Sequence, residues 1–208
     1  MRIINVMATS LDGKIALHDD ESDAARRAYG FTNKDDQEFV RSMLESADAV
    51  ITGAKSLRAS GGAWQVRNHK GKLPAWIVLT TRGIDESLKF WDQTDTERWL
   101  VSPTPLPFSH PRGVRNLCYG DLDPVEFTVD ALRNAGFSTI LLFGGGEINR
   151  MFYQSGLVDE LRLTICPIIL ARSGSSSLVE PDLPSPVNFR LESSHVAGSL
   201  VFLKYTVL

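Results

Sequence analysis

The chain has 208 residues, 43% of them hydrophobic and 23% charged, a composition of globular domains that bury about 70% of their unfolded surface. Its net charge of −3 argues against the basic face that nucleic-acid binding needs to displace counterions. No apolar run approaches the roughly 20 residues of a membrane helix. Residues 1–13 lack a basic region followed by a long apolar run, so neither signal peptide nor anchor is expected. The expectation is a single cytoplasmic domain over residues 1–208.

In chain order, residues 2–7 read as a strand leading into a polar turn, residues 8–14. The charged segment 18–29 reads as a surface loop. Thr32 or Asn33 can cap a helix whose apolar stripe is Phe39, Val40, Met43, Leu44 and Ala47. A short strand, residues 49–52, ends at Gly53 and is followed by Ala54-Lys55-Ser56-Leu57. Residues 75–80 form another strand, and 98–101 and 114–119 form shorter ones around a proline-rich loop, 103–111. Residues 123–134 read as a helix with Phe127, Ala131 and Leu132 inward, stopped by Gly136. This run of β–α units predicts an α/β fold around a mostly parallel sheet. The end of the chain differs. Residues 189–194 alternate apolar and polar, 200–207 are again extended, and the turn between them predicts a C-terminal antiparallel hairpin. The proline-rich stretch 181–186 reads as a loop inside the domain.

Cys118 and Cys166 lie in apolar strand-like runs and read as reduced core thiols. The four histidines, His18, His69, His110 and His195, are scattered without ligand spacing, so no zinc site is expected. Common serine-nucleophile motifs are missing.

The most informative stretch is residues 139–167. The apolar run Ile140, Leu141, Leu142, Phe143 breaks into Gly144, Gly145 and Gly146. A short helix then begins, with Ile148, Met151 and Phe152 on one face and Gly156 at its end. A strand, a glycine turn and a helix N-terminus leave backbone N–H groups around one concavity, which suits a phosphate or pyrophosphate. A tight strand-to-helix turn is the plainer reading. Three glycines exceed what a turn requires, and each costs about 0.5–1 kcal/mol relative to Ala. The P-loop triplet is absent, and Asn149 stands where a Rossmann turn has its third glycine, so a different nucleotide fold is implied.

Four segments occur together in order: Ser10-Leu11-Asp12-Gly13-Lys14, the strand of residues 47–54, Gly144-Gly145-Gly146, and Gly156-Leu157-Val158-Asp159-Glu160-Leu161. In this combination the chain resembles the riboflavin-biosynthesis pyrimidine reductase family, over residues 3–170. The resemblance implies a dihydrofolate reductase-like three-layer fold and a stand-alone reductase, since the zinc signature of the family's deaminase half is absent. Two segments differ from the family. Phe143 or Gly144 stands where an acidic residue often precedes the glycines, and residues 57–67 replace an Asp-x-Pro-x-Leu-x-x-Arg segment, with Arg67 as the plausible match.

The family chemistry moves a hydride from NADPH to the sugar C1 of an opened ribosylamino-pyrimidine 5′-phosphate, giving a ribitylamine. On that resemblance Gly144, Gly145 and Gly146, with the N–H groups of Glu147 and Ile148, hold the pyrophosphate. Gly53, Lys55 and Ser56 form a second phosphate turn, and Thr80, Thr81 and Arg82 suit a 2′-phosphate, strand-end turns being the alternative for each. Asp12 and Lys14 are the catalytic candidates and Ser10 and Arg67 the substrate-binding ones. Asp12 either orients the pyrimidine, relays a proton or caps a turn, and Arg67 either takes the substrate phosphate or is a solvated loop residue. No metal is implied. The family's members pair as homodimers, and the same is expected here, with the hairpin or its neighbouring sheet in the interface. Two alternatives stay open. A reductase of dihydrofolate or another pterin is one, since Asp35, Asp36 and Glu38 lie where dihydrofolate reductases carry a pterin-binding acid. A non-catalytic NADPH-binding regulator is the other.

Overall fold

The computed structural model describes residues 1–18, 21–106 and 113–208. The elements follow in chain order as β1 (Arg2–Thr9), β2 (Lys14–Ala16), α1 (Asp23–Ala28), α2 (Lys34–Glu45), β3 (Ala49–Gly53), α3 (Ala54–Ser60), β4 (Ala75–Leu79), β5 (Arg98–Ser102) and β6 (Val114–Cys118). They continue as α4 (Pro124–Asn134), β7 (Thr139–Leu142), α5 (Gly146–Gln154), β8 (Glu160–Ile165), β9 (Ser176–Ser177), β10 (Phe189–Ala197) and β11 (Leu200–Val207). Among the described residues one nine-stranded sheet has the order β10-β11-β8-β1-β7-β3-β4-β5-β6, and β2 pairs with β9 in a small second sheet. The run from β8 through β1 to β6 is parallel, and β11 and β10 add to it antiparallel.

The central strands are buried along their whole length because the sheet is covered on both faces. In β4, Ala75, Ile77 and Leu79 pack with Val125, Val129 and Leu132 of α4 and Phe152 of α5. The alternate residues Trp76 and Val78 pack on the other face with Met43 and Leu44 of α2 and Leu57 of α3. Successive side chains of a strand point to opposite faces, so a doubly covered strand reads as a continuous apolar run. Polar side chains fix where the helices begin. Asn33 Oδ1 accepts from Asp35 N at 2.8 Å, which selects Asn33 over Thr32 as the α2 cap, and Asp123 Oδ1 accepts from Val125 N and Glu126 N to start α4.

Several readings change. The charged segment 18–29 contains helix α1, started by Ser22 Oγ accepting from Ala25 N. No α1 residue is buried, so no apolar stripe announced it. Residues 54–57 open helix α3 rather than a turn, and Lys14 begins a strand. In α4 the fully buried positions are Val125, Thr128, Val129 and Leu132, while Phe127 and Ala131 pack only in part against them. Cys118 is exposed, not a core thiol, because its strand is the sheet edge. Cys166 is buried, and burial pushes its thiol up to about 12. Part of the proline-rich loop 103–111, with His110, lies outside the described residues. Among the described residues, no acid, His and Cys side chains cluster as metal ligands, and no helix is long and apolar enough to cross a membrane.

Candidate active site

A cleft of about 540 Å³ opens over the carboxyl ends of β3, β4, β5 and β7, the end of a parallel α/β sheet where ligands bind. Its lining contains all eleven positions the sequence assigned to a cofactor: Gly53, Lys55, Ser56, Thr80, Thr81, Arg82, Gly144, Gly145, Gly146, Glu147 and Ile148. Because β3 and β7 are adjacent and parallel, the helices that follow them, α3 and α5, start side by side. Gly53 and Gly145, their N-cap residues, supply no side-chain cap. The first N–H groups of both helices are thus left to a ligand or solvent.

The three glycines have three different reasons. At Gly144 (φ +52°) a Cβ would fall into the Asn149 side chain. Asn149 is fully buried, with Oδ1 accepting from Asn5 Nδ2 at 3.0 Å and Nδ2 donating to Leu178 O at 2.8 Å. At Gly146 a Cβ would meet Ser177 O at 2.6 Å and Glu180 Cγ at 2.5 Å, so that glycine lets the 176–180 segment close down. Gly145 (φ +71°) faces the cleft, its Cβ position 3.0 Å from Ser56 Oγ. The residue that took the place of a third Rossmann glycine is therefore the plug that holds this turn.

Ser56 Oγ donates to Gly144 O at 3.0 Å, tying the start of α3 to the glycine turn before α5. Lys55 Nζ lies 3.3 Å from Glu147 Oε1, an exposed pair. Such exposed pairs are worth about 0–1 kcal/mol. The Thr80 hydroxyl donates to Gly83 O at 2.6 Å and accepts from Arg82 N, which leaves Thr81 and Arg82 as the exposed groups of that turn. Sequence reasoning missed Arg26 and Arg58, which also line the cleft. Arg58 sits three residues after Lys55 on α3, a same-face spacing that was readable once the segment was taken as a helix. The cations Arg26, Lys55, Arg58 and Arg82 line the cleft with the carboxylates Glu147 and Glu180, and Arg26 is ion-paired with Glu21 and Asp23.

The four residues assigned to catalysis and substrate do not line this cleft. Ser10 Oγ donates to Asp12 Oδ1 at 2.6 Å and accepts from Lys14 N. Asp12 also accepts from Leu170 N at 3.1 Å and Ala171 N at 2.9 Å, latching the first turn to the segment after β8. The Ser10 hydrogen bond and these backbone donors hold the Asp12 carboxyl down at about 2. Lys14 Nζ donates to Ser177 Oγ at 3.0 Å, and Arg67 Nη1 donates to Gly71 O at 2.9 Å within its own loop.

A second cavity, about 180 Å³, adjoins the first and shares Ile15, Arg26, Ser56 and Gly145 with it. Its walls come from β1, α1, α2, β4 and β8 and include Asp36, Trp76, Phe143 and Thr164. Asp36 is 6% exposed. Burial raises its carboxyl above the ordinary range, against a hydrogen bond from Thr164, and the Asp23 carboxylate adds to the rise. Asp36 Oδ1 and Trp76 Nε1 are both buried without a hydrogen-bond partner among the described residues. An unsatisfied buried group of this kind costs about 1–3 kcal/mol. One orphan acceptor, Asp36 Oδ1, and two orphan donors, Trp76 Nε1 and Arg26 Nε, thus belong to residues that line one small cavity.

The family model described as RibD C-terminal domain matches residues 2–203. A protein of Aquifex aeolicus (strain VF5) named 2,5-diamino-6-ribosylamino-4(3H)-pyrimidinone 5′-phosphate reductase is 22% identical over 218 residues, covering 99% of this chain and 96% of its own. A pyrimidine reductase-like protein of Corynebacterium diphtheriae superposes with a TM-score of 0.83 at 20% identity, over 100% of this chain and 92% of that one. The diaminohydroxyphosphoribosylaminopyrimidine deaminase/5-amino-6-(5-phosphoribosylamino)uracil reductase of Thermotoga maritima gives 0.79 at 18% identity, with all of this chain on 56% of that one. Dihydrofolate reductase of Enterococcus faecalis, complexed with NADP(H), gives 0.60 at 12% identity over 99% and 96% of the two chains. These likenesses establish a dihydrofolate reductase-like fold.

Proposed function

The chain belongs to the RibD C-terminal domain family, and from that premise we propose that it is a reductase of riboflavin biosynthesis. It uses NADPH to convert a ribosylamino-pyrimidine 5′-phosphate into the ribitylamino product. The observation that carries this reading is the meeting of two uncapped helix N-termini, an open glycine and four cations in one cleft that adjoins a smaller polar cavity. Two joined cavities suit a reaction between a dinucleotide and a smaller second molecule.

Bound NADPH supplies a hydride, delivered to the sugar C1 of the opened ribosylamine. The chain's own contribution is positioning and electrostatics. The N–H groups at Gly145 to Glu147 and at the start of α3 hold the pyrophosphate, with Lys55 and Arg58 offsetting its charge. Thr81 and Arg82 hold the 2′-phosphate, a guanidinium fork matching its oxygens. Ser10, Asp12 and Lys14 act by fixing the turn between β1 and β2, so that Ile15 and Ala16 stand at the cleft wall. The turn residues are thereby assigned to shaping the site, and Arg67 to its own loop.

Purified protein with NADPH is expected to reduce the ribosylamino-pyrimidine phosphate and not dihydrofolate. Turnover of dihydrofolate alone replaces the reading with a pterin reductase, and NADPH binding without oxidation replaces it with a sensor. We further propose a homodimer. Strand β10 is the sheet edge and leaves Leu191 and Val196 exposed, a surface that soluble proteins cover. A monomer by light scattering at micromolar concentration removes that proposal.

A further inference from the structure

Behind the glycine turn lies a buried hydrogen-bond network of three side chains, none of which lines either cavity: Asn5, Asn149 and Tyr153. We propose that Tyr153 and Asn5 hold the Asn149 carboxamide in one orientation, and that this clamps residues 176–180 onto the cofactor turn. On the reductase reading, from which this follows, the three are positioning residues for the dinucleotide, acting from behind the cleft wall.

The network has a single consistent arrangement of protons. Leu178 O can only accept, so Asn149 presents Nδ2 to it at 2.8 Å and turns Oδ1 toward Asn5. Leu142 O can only accept too. Asn5 Nδ2 therefore gives one hydrogen to Leu142 O at 2.9 Å and the other to Asn149 Oδ1 at 3.0 Å. Asn5 Oδ1 is left as an acceptor, and the Tyr153 hydroxyl donates to it at 3.0 Å. Burial raises the pKa of that hydroxyl, which keeps the donor protonated. Asn5 and Asn149 are fully buried and Tyr153 nearly so. A reversed amide would set like groups against each other where no water can separate them.

The network ends on a strap. Leu178 lies between β9 and Glu180. Glu180 N donates to Gly146 O at 3.2 Å, and Glu180 Oε2 accepts from Ser177 N at 2.9 Å. Ser177 O and Glu180 Cγ fill the place where a Cβ of Gly146 would stand. Ser176 and Glu180 thereby become cleft wall beside the first turn of α5. The strap reaches the opposite wall as well, because β9 pairs with β2 and Lys14 Nζ donates to Ser177 Oγ. With Leu178 held by Asn149, the N–H groups at Gly145 to Glu147 are ordered before a dinucleotide arrives, and binding need not supply that ordering. The Glu180 carboxylate is engaged by Ser177 N, which keeps an anion from competing with the pyrophosphate for the helix N-terminus.

NADPH binding by fluorescence titration, together with hydrogen exchange at the Ser177 and Glu180 amides of cofactor-free protein, tests the clamp. In Asn149→Asp the isosteric side chain loses the amide N–H that Leu178 O needs, and the NADPH dissociation constant is expected to rise at least about tenfold. Tyr153→Phe removes one hydroxyl outside the cleft and should raise it about three- to tenfold. In both variants exchange at Ser177 and Glu180 should quicken and KM for NADPH should rise, while kcat and the KM of the pyrimidine substrate move less. A lowered melting temperature with NADPH affinity within about twofold of wild type makes the network purely structural and overturns the proposal. Weakened affinity with unchanged exchange at the strap overturns it too, as does exchange at those two amides in wild type as fast as in an unstructured peptide. All three results leave the reductase reading standing. Failure of wild type to bind NADPH removes that reading, and the clamp's role with it.

Discussion

The two cavities are built in opposite ways. The larger cleft is lined by runs of consecutive residues at strand ends: Gly53 to Ser56, Thr80 to Arg82 and Gly144 to Ile148. Backbone groups and chain direction do most of its work, so a parallel sheet creates it wherever adjacent strands feed helices. The smaller cavity has no such motif. Asp36, Trp76 and Thr164 come from α2, β4 and β8 and meet only because the sheet brings them together. A site built from backbone shows in local sequence, whereas one built from isolated side chains does not.

The sharpest way to break the comparison is through Asn149, a side chain on which the backbone-built site depends. Asn149→Ala leaves Asn5 Nδ2 and Leu178 O short of a partner and opens space under Gly144. A loss of about 2–4 kcal/mol is expected in urea unfolding, with weakened NADPH binding. Unchanged stability would show that the turn holds itself. At the other end of the cleft, Arg82→Ala should reduce a preference for NADPH over NADH by about ten- to a hundredfold, the worth of a charge-assisted phosphate contact of about 1.5–3 kcal/mol. Equal kcat/KM for the two cofactors in wild type sinks that assignment. Gly145→Val tests the open glycine, and at least a tenfold loss of NADPH affinity, about 1.4 kcal/mol, is expected in a protein that still folds.

The smallest effect runs the other way and separates the second cavity from the first. Asp36 has a raised carboxyl pKa in the folded state, so folding is favoured while it is protonated and disfavoured as pH rises through that value. Asp36→Asn removes the penalty. Its melting temperature should exceed wild type by a few °C at pH 7–8, about 2–4 °C per kcal/mol for a chain of this size. The charge-dependent part of the gain should vanish below the unfolded carboxyl value of about 3.9. A destabilised Asp36→Asn would mean that the Thr164 hydrogen bond to the carboxylate outweighs the cost of its burial.

The sequence by itself determined the α/β class, the C-terminal hairpin and the grouping of eleven positions that line one cleft, because apolar period, glycine placement and strand-to-helix order are local properties. The register of the hairpin, with its shift between Leu191 and Ser193, came from the structure. Tertiary structure decided what single positions do. Ser10-Leu11-Asp12-Gly13-Lys14 looked like chemistry, but Asp12 spends its oxygens on Ser10, Leu170 and Ala171, and Leu170 and Ala171 are more than 150 residues away in sequence. Helix α1 was invisible because it buries nothing, and Cys118 was misplaced because no sequence pattern marks which strand ends up at an edge. Asp36 was one acidic residue among three near a helix start. Its burial, and the orphan indole it shares a cavity with, depend on the packing of α2 against the sheet, and burial is what raises its carboxyl above the ordinary range.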